Sequence, residues 1–184
     1  MLRKLGNYNL FLASNALLSF AMGMFAPFWI VFIQDFGGRS FEQFGFSIGL
    51  MVLAQSITSY FAGRYSDKLG RKTFLIAGGF MLAAVTFAYT IITSIPQLYI
   101  LQVIDGAVGA IQLTTGTAFL GDITTRTSRG KDLGKYHALV GIMSAIAMMG
   151  SGFVVGQSGY KIIFYITAGL IFISTLFLFS IKER

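Results

Sequence analysis

The sequence predicts an all-α integral membrane protein with six transmembrane helices, on two observations. Hydrophobic residues make up 55% of the 184-residue chain and charged residues only 11%, against roughly 25% charged in an ordinary soluble domain. A soluble domain of this size has too much surface to carry so few charges. The apolar residues also fall into six long runs, with Lys and Arg gathered in short clusters between them.

A helical span needs about 20 mostly apolar residues. The first run covers about residues 9–33. It follows the opening MLRKLGNYN, but it is too long for the apolar core of a signal peptide and no small-residue cleavage site ends it early. Pro27 lies inside it, removes one backbone donor and is expected to bend the helix. The second run covers residues 44–61, the third 74–93 and the fourth 98–120. Pro96 suits the first turn of the fourth helix, where a missing N–H costs little. The fifth run covers 138–157 and the sixth 162–181. Lipid offers no partner to backbone groups, so only helices or closed barrels cross it. Barrel strands would show alternating runs of about ten residues, whereas these runs are longer and mostly apolar on every face.

The charges set an expected orientation. Arg3 and Lys4 precede the first span; Arg64, Lys68, Arg71 and Lys72 separate the second from the third. Arg126, Arg129, Lys131 and Lys135 separate the fourth from the fifth, and Lys182 and Arg184 follow the sixth. The other side holds only Arg39 and Lys161. By the positive-inside rule both termini are expected in the cytoplasm, in a multi-pass protein of the plasma membrane. The net charge of +7 is thus a topology signal and implies no nucleic-acid partner. The chain has no cysteine and one histidine, His137, so no metal centre or other cofactor is expected. No phosphate-binding loop and no paired catalytic residues stand out, so an ATPase or other enzyme is not expected. The outer loops are short, which leaves function to the helices and the cytoplasmic connections.

Between the second and third spans the chain reads GRYSDKLGRK. Gly63, Asp67, Lys68, Gly70, Arg71 and Lys72 match the signature of the major facilitator superfamily of secondary transporters, in the connection where that family carries it. On physical grounds Gly70 permits a tight turn, and Asp67 sits among four basic residues near low-dielectric ground. Looser likenesses follow. GMFAP, Gly23 to Pro27, resembles the family's first helix. Gly121 and Asp122, then Arg129, Gly130 and Lys131, resemble its connection after the fourth helix. Gly159 to Lys161, then Phe164 and Tyr165, resemble the start of its sixth, with Tyr160 where Trp is usual. The resemblance implies a pairing of Arg71 with Asp122. Two departures speak against an antiporter subgroup. Gln102 and Asp105 stand where many members have Arg and Gln in the fourth helix, and the fifth-helix run Gly150, Ser151, Gly152 lacks a proline.

The family's working unit has twelve helices in two six-helix halves related by an axis along the membrane normal. Six spans therefore correspond to one half. Three arrangements are open: a homodimer that recreates the transporter, a half that needs a different membrane protein, and a six-helix scaffold with no transport role. The homodimer is the favoured expectation, because a two-fold axis relates identical chains as the family relates its halves. Helices two and five face their counterparts in the family, and both are rich in small residues here: Gly45, Gly49 and Ser56 in one, Gly141, Ala145, Gly152 and Gly156 in the other. Such faces let helices approach closely in lipid. In a homodimer Asp67 is expected to meet the N-terminal end of the partner's fifth helix and close a gate.

Asp105 is the one acid deep within a span. A carboxyl group in lipid is by default a functional-site candidate. Gln102 and Gln112 lie near the same face and form with it a polar stripe on the fourth helix, a helix that lines the cavity in the family. Asp105 is thus the candidate for proton coupling, with a substrate or cation ligand and a plain interhelical hydrogen bond as its other readings. Asn15, in the first span, is a weaker cavity candidate. So are Gln55, Thr114, Thr115 and Thr117, and the aromatic pair Phe28 and Trp29. The sequence does not name the small-molecule substrate.

Overall fold

The computed structural model describes residues 2–36 and 40–181, with side chains from Gly6 onward. Arg39, Lys182, Arg184 and the side chains of Arg3 and Lys4 lie outside the described residues. Six helices follow one another: α1 (Leu2–Phe36), α2 (Phe41–Leu69), α3 (Arg71–Ala88), α4 (Ile95–Ile123), α5 (Arg129–Ser158) and α6 (Lys161–Phe179). Each is long and apolar enough to cross a bilayer, and the chain is a multi-pass membrane protein.

Helix ends differ from the apolar runs, and local chemistry explains where. Ser40 caps α2, its hydroxyl accepting from the Gln43 N–H at 3.4 Å. The helix then continues to Leu69, so Gly63, Asp67 and Lys68 are helical and Gly70 alone separates α2 from α3. Gly70 has φ 97°, and its N–H donates to the Ser66 carbonyl at 3.1 Å, a left-handed stop that glycine tolerates. α3 ends at Ala88 rather than at residue 93, giving way to turns through Thr90 and Ile91. Pro96 sits in the first turn of α4. Gln97 Oε1 accepts from the N–H groups of Thr93 and Ser94 at 2.8 and 3.2 Å and satisfies that helix start. α5 begins at Arg129 rather than near 138. Ser128 donates to Asp132 Oδ2 at 2.6 Å, which places an acid in the first turn where the helix dipole favours it. α1 runs unbroken past Pro27 to Phe36.

The packing repeats itself. α1 lies against α5 and α6, α4 lies against α2 and α3, and α3 meets α6. Exchanging α1 with α4, α2 with α5 and α3 with α6 returns the same set of neighbours. Each unit holds three antiparallel helices, so the second unit starts from the opposite end of the bundle, an inverted three-plus-three repeat. The two equivalent crossings are both built on glycine. A Cβ on Gly106 of α4 would lie 2.1 Å from the Met51 carbonyl oxygen of α2, and one on Gly23 of α1 would lie 2.5 Å from the Ser144 carbonyl oxygen of α5.

The helices are not equally enclosed. In the most apolar stretches of α1, α3, α4 and α6, between 39% and 44% of residues are buried; in α2 and α5 the figures are 6% and 11%. These two helices therefore form the outer flank. The Gly70 turn, the α4–α5 connection, the start of α1 and the end of α6 lie at one end of the bundle, the basic end.

Candidate functional site

A cavity of about 430 Å³ opens among α1, α2, α4 and α5. Its apolar walls include Leu18, Met22, Met51, Leu82, Leu113, Leu120 and Leu133; its polar groups include Asn15, Gln55, Asp105, Gln112, Tyr136 and His137. Asp105 is the eleventh residue of α4, about 15 Å from that helix's start at 1.5 Å per residue. From Asp105 the lining runs toward Leu120 and Leu133 at the basic end. Toward the opposite end of the bundle, rings from α1, α6 and the end of α3 pack together. Phe25 lies 5.0 Å from Phe164, Phe32 lies 5.1 Å from Phe164 and 5.8 Å from Tyr89, centroid to centroid.

Asp105 does not face the cavity unassisted. The Tyr89 hydroxyl, at the end of α3, lies 3.0 Å from Asp105 Oδ2 and 3.1 Å from Gln102 Oε1. Gln102 Nε2 donates to Ser47 Oγ of α2 at 3.4 Å, and Ser47 donates to the Phe44 carbonyl at 3.2 Å. Gln102, Tyr89 and Ser47 are buried. The expected polar stripe of α4 is therefore divided. Asp105 and Gln112 line the cavity, whereas Gln102 points between α2 and α3 and is absent from its wall. A three-residue step leaves the two side chains about 60° apart around the helix, which is enough to carry Gln102 into the α2 seam.

Gln112 donates to the Leu75 carbonyl of α3 at 2.9 Å, so its amide is partly committed to structure. Asn15 lines the cavity and links two helices: its amide N–H donates to the Phe11 carbonyl at 3.0 Å, and its oxygen accepts from Tyr136 of α5 at 3.1 Å. Thr117 donates to the Leu113 carbonyl of its own helix at 2.8 Å. Phe28 and Trp29 are not cavity residues. Phe28 packs with Met24, Ala147 and Ile163, and Trp29 packs against the cluster holding Tyr89.

At the basic end the signature residues assemble around Arg71. Its guanidinium donates to Asp67 Oδ1 through Nη2 at 2.8 Å and Nε at 3.1 Å, and through Nη1 to the Ala118 carbonyl at 2.8 Å and to Asp122 Oδ2. One side chain thus binds the end of α2 to the end of α4. Gly63 stands on the same seam, next to Thr114. Lys72 turns the other way. Its ammonium donates to the carbonyls of Phe179 and Ile181 at 3.1 and 2.6 Å, capping α6. Lys68 is exposed.

Gly45, Gly49 and Ser56 on α2, and Gly141, Ala145, Gly152 and Gly156 on α5, are all exposed. A Cβ added at any of these five glycines would meet no atom within 4 Å.

The sequence does not reveal Tyr89 and Ser47 as partners of the polar stripe, or Tyr136 as the partner of Asn15. Each is a hydroxyl in or just after an apolar helix, but their partners are 16, 55 and 121 residues distant in sequence.

Comparison with known proteins agrees with this architecture. The Major Facilitator Superfamily profile matches residues 11–184. The chain is 34% identical over 157 residues to the uncharacterized MFS-type transporter YitZ of Bacillus subtilis, covering 85% of this chain and 95% of that protein. It is 31% identical over 176 residues to the uncharacterized MFS-type transporter YuxJ of the same organism, covering 93% of this chain and 45% of that protein. With Multidrug resistance protein 2 of B. subtilis it shares 27% over 173 residues, 94% of this chain and 43% of that protein. The chain therefore spans nearly all of the first relative and less than half of the other two. Six apolar helices, an inverted repeat around a cavity that holds Asp105 and a profile match over most of the sequence place the chain in the Major Facilitator Superfamily, a family of secondary transporters rather than enzymes.

Proposed function

We propose that the chain is one wall of a secondary transporter that works by alternating access, completed by a second copy of itself. The observation that carries this reading is the cavity itself. It is walled by α1, α2, α4 and α5, it holds Asp105, and two of those helices form the least enclosed flank of the bundle. A second six-helix unit placed there would supply the missing wall. The small residues exposed on α2 and α5 support that placement, since small-residue faces let helices pack closely in a bilayer.

Asp105 is the proton-coupling residue in this reading. A carboxyl group at membrane depth that faces an open cavity has both a route for protons and a reason to change charge. Asn15 and Gln112 share the cavity and supply hydrogen-bonding capacity to a solute. The largely apolar lining, together with a relative named a multidrug resistance protein, supports amphipathic organic solutes as the substrate class. Orientation follows the charges, with the basic end and both termini in the cytoplasm and the chain in the plasma membrane. Asp67, Arg71 and Asp122 form the gate that ties α2 to α4 on that side, and the partner's α5 N-terminal end closes against it.

The test uses the purified chain in proteoliposomes, with a lipophilic cationic dye as probe and an imposed pH gradient. Gradient-driven dye movement in wild type and its loss in D105N are the expected results, alongside a dimer in native mass spectrometry. A strict monomer that still moves the dye would sink the two-copy arrangement. A dimer whose dye flux is equal in wild type and D105N would sink Asp105 as the coupling group. Dye flux that appears only on co-expression with another membrane protein would identify an unlike partner half instead.

A further inference from the structure

We propose that Tyr89 and Gln102 form a latch that makes the seating of α2 on α4 depend on whether Asp105 carries a proton. A count of hydrogens carries the latch, which deepens the reading of Asp105 as the proton-coupling group. The Tyr89 hydroxyl has one hydrogen and faces two acceptors, Asp105 Oδ2 at 3.0 Å and Gln102 Oε1 at 3.1 Å. An ionised carboxylate only accepts, whereas a protonated one also donates.

With the proton on Asp105, both acceptors that face Tyr89 are served. The carboxyl O–H donates to Tyr89 Oη, and the Tyr89 hydrogen goes to Gln102 Oε1. Gln102 Nε2 donates to Ser47 Oγ, and Ser47 donates to the Phe44 carbonyl. The chain of bonds runs in one direction from α4 through α3 to the backbone of α2. With Asp105 ionised, the charge-assisted bond claims the Tyr89 hydrogen. Gln102 Oε1, in a side chain with no exposed surface, then loses its donor. A buried acceptor without a partner is costly, and Gln102 regains one only by turning its amide over, which gives up the Nε2–Ser47 bond and calls Ser47 away from the Phe44 carbonyl. Loss of the proton at Asp105 therefore loosens α2 from α4 at residues 44–51. That segment contains Met51, whose carbonyl seats against Gly106.

Few other ionisable groups compete. The cavity beside Asp105 receives Tyr136 and His137 from α5, while α1 and α2 contribute only neutral groups such as Asn15, Ser19 and Gln55. From α3 the facing group is Tyr89 itself.

The chain carries its own reporter. Trp29 is its one tryptophan; its indole N–H lies beside the Tyr89 hydroxyl without reaching hydrogen-bond geometry. The experiment measures two signals in nanodiscs across pH: Trp29 emission, and amide hydrogen exchange of residues 41–51 corrected for intrinsic rates. Wild type is expected to show an emission step on raising pH, accompanied by a fall of at least threefold in α2 protection. D105N should show neither. In S47A and Q102L, which remove later links, the emission step should persist while α2 protection no longer follows pH. Y89F should likewise uncouple α2. An Asp105-dependent emission step without any change in α2 protection would overturn the latch and leave proton uptake at Asp105 standing. Absence of an Asp105-dependent step would overturn both. Unchanged pH-dependent protection of α2 in S47A and Q102L would overturn the latch by showing another route.

Discussion

Asp105 and Arg71 show how differently one sequence discloses two polar centres. Arg71 stands in a compact signature, so its pairing with Asp122 follows from the resemblance, although the partners are 51 residues apart. Asp105 is conspicuous as a lone acid in an apolar run, but nothing local points to Tyr89, which reaches it across the α3–α4 turn. Gln102 was misplaced for a related reason: spacing along a helix gives an angle, and only the neighbouring helices decide what that angle faces. Arg71 also supplies a test at this scale. Its guanidinium serves Asp67, Asp122 and the Ala118 carbonyl together, which a lysine ammonium does not reproduce. R71K is expected to leave the six helices formed and to speed amide exchange over residues 114–122 at least severalfold, read by mass spectrometry. Gly106 gives a second. With a Cβ only 2.1 Å from the Met51 carbonyl oxygen, G106A should destabilise the α2–α4 crossing by about 1–3 kcal/mol. G109A, whose Cβ would stand 3.8 Å from the nearest Gln55 atom, should be close to neutral in the same detergent-unfolding titration.

Among the elements, all six helices were legible because lipid imposes both their length and their apolarity. Their ends were not. α2 reaches Leu69 and α5 starts at Arg129, in charged stretches where hydropathy has already fallen but backbone hydrogen bonding continues. The short α3 erred in the other direction, since Ile91 and Ile92 prolong the apolar run after the helix has stopped. Hydropathy alone does not reveal the unequal enclosure of α2 and α5, because a helix that faces lipid and one that faces protein are equally apolar; the small-residue faces and the family resemblance are what point to it. That inequality makes an element-scale prediction. A Cβ added at Gly49 or Gly152 would meet nothing within 4 Å beyond its own helix backbone. G49L and G152L should therefore alter the stability of the single bundle by no more than ~0.5 kcal/mol. The dimer fraction in native mass spectrometry should nonetheless fall severalfold. Retention of the full dimer fraction in both variants would remove these faces from the interface.

For the whole molecule, orientation is the property that the charge pattern predicts and that cell-surface chemistry can decide. The absence of cysteine allows single reporters without a prior replacement. A membrane-impermeant thiol reagent on intact cells is expected to label S94C and to spare K135C, with K135C labelled only after permeabilisation. Labelling of K135C from outside would invert the topology and place the Arg71 cluster on the outer face. The inverted repeat carries a consequence of its own. The two three-helix units share one set of neighbours but point opposite ways through the bilayer, with Gly23–Ser144 and Gly106–Met51 as matching pivots. If each unit adopted the internal bend and tilt of its twin, the pivots would trade places. The cavity mouth would then move from the Leu133 side to the opposite side of the bilayer. One conformation of this chain thus contains the template of its opposite, drawn in the other unit.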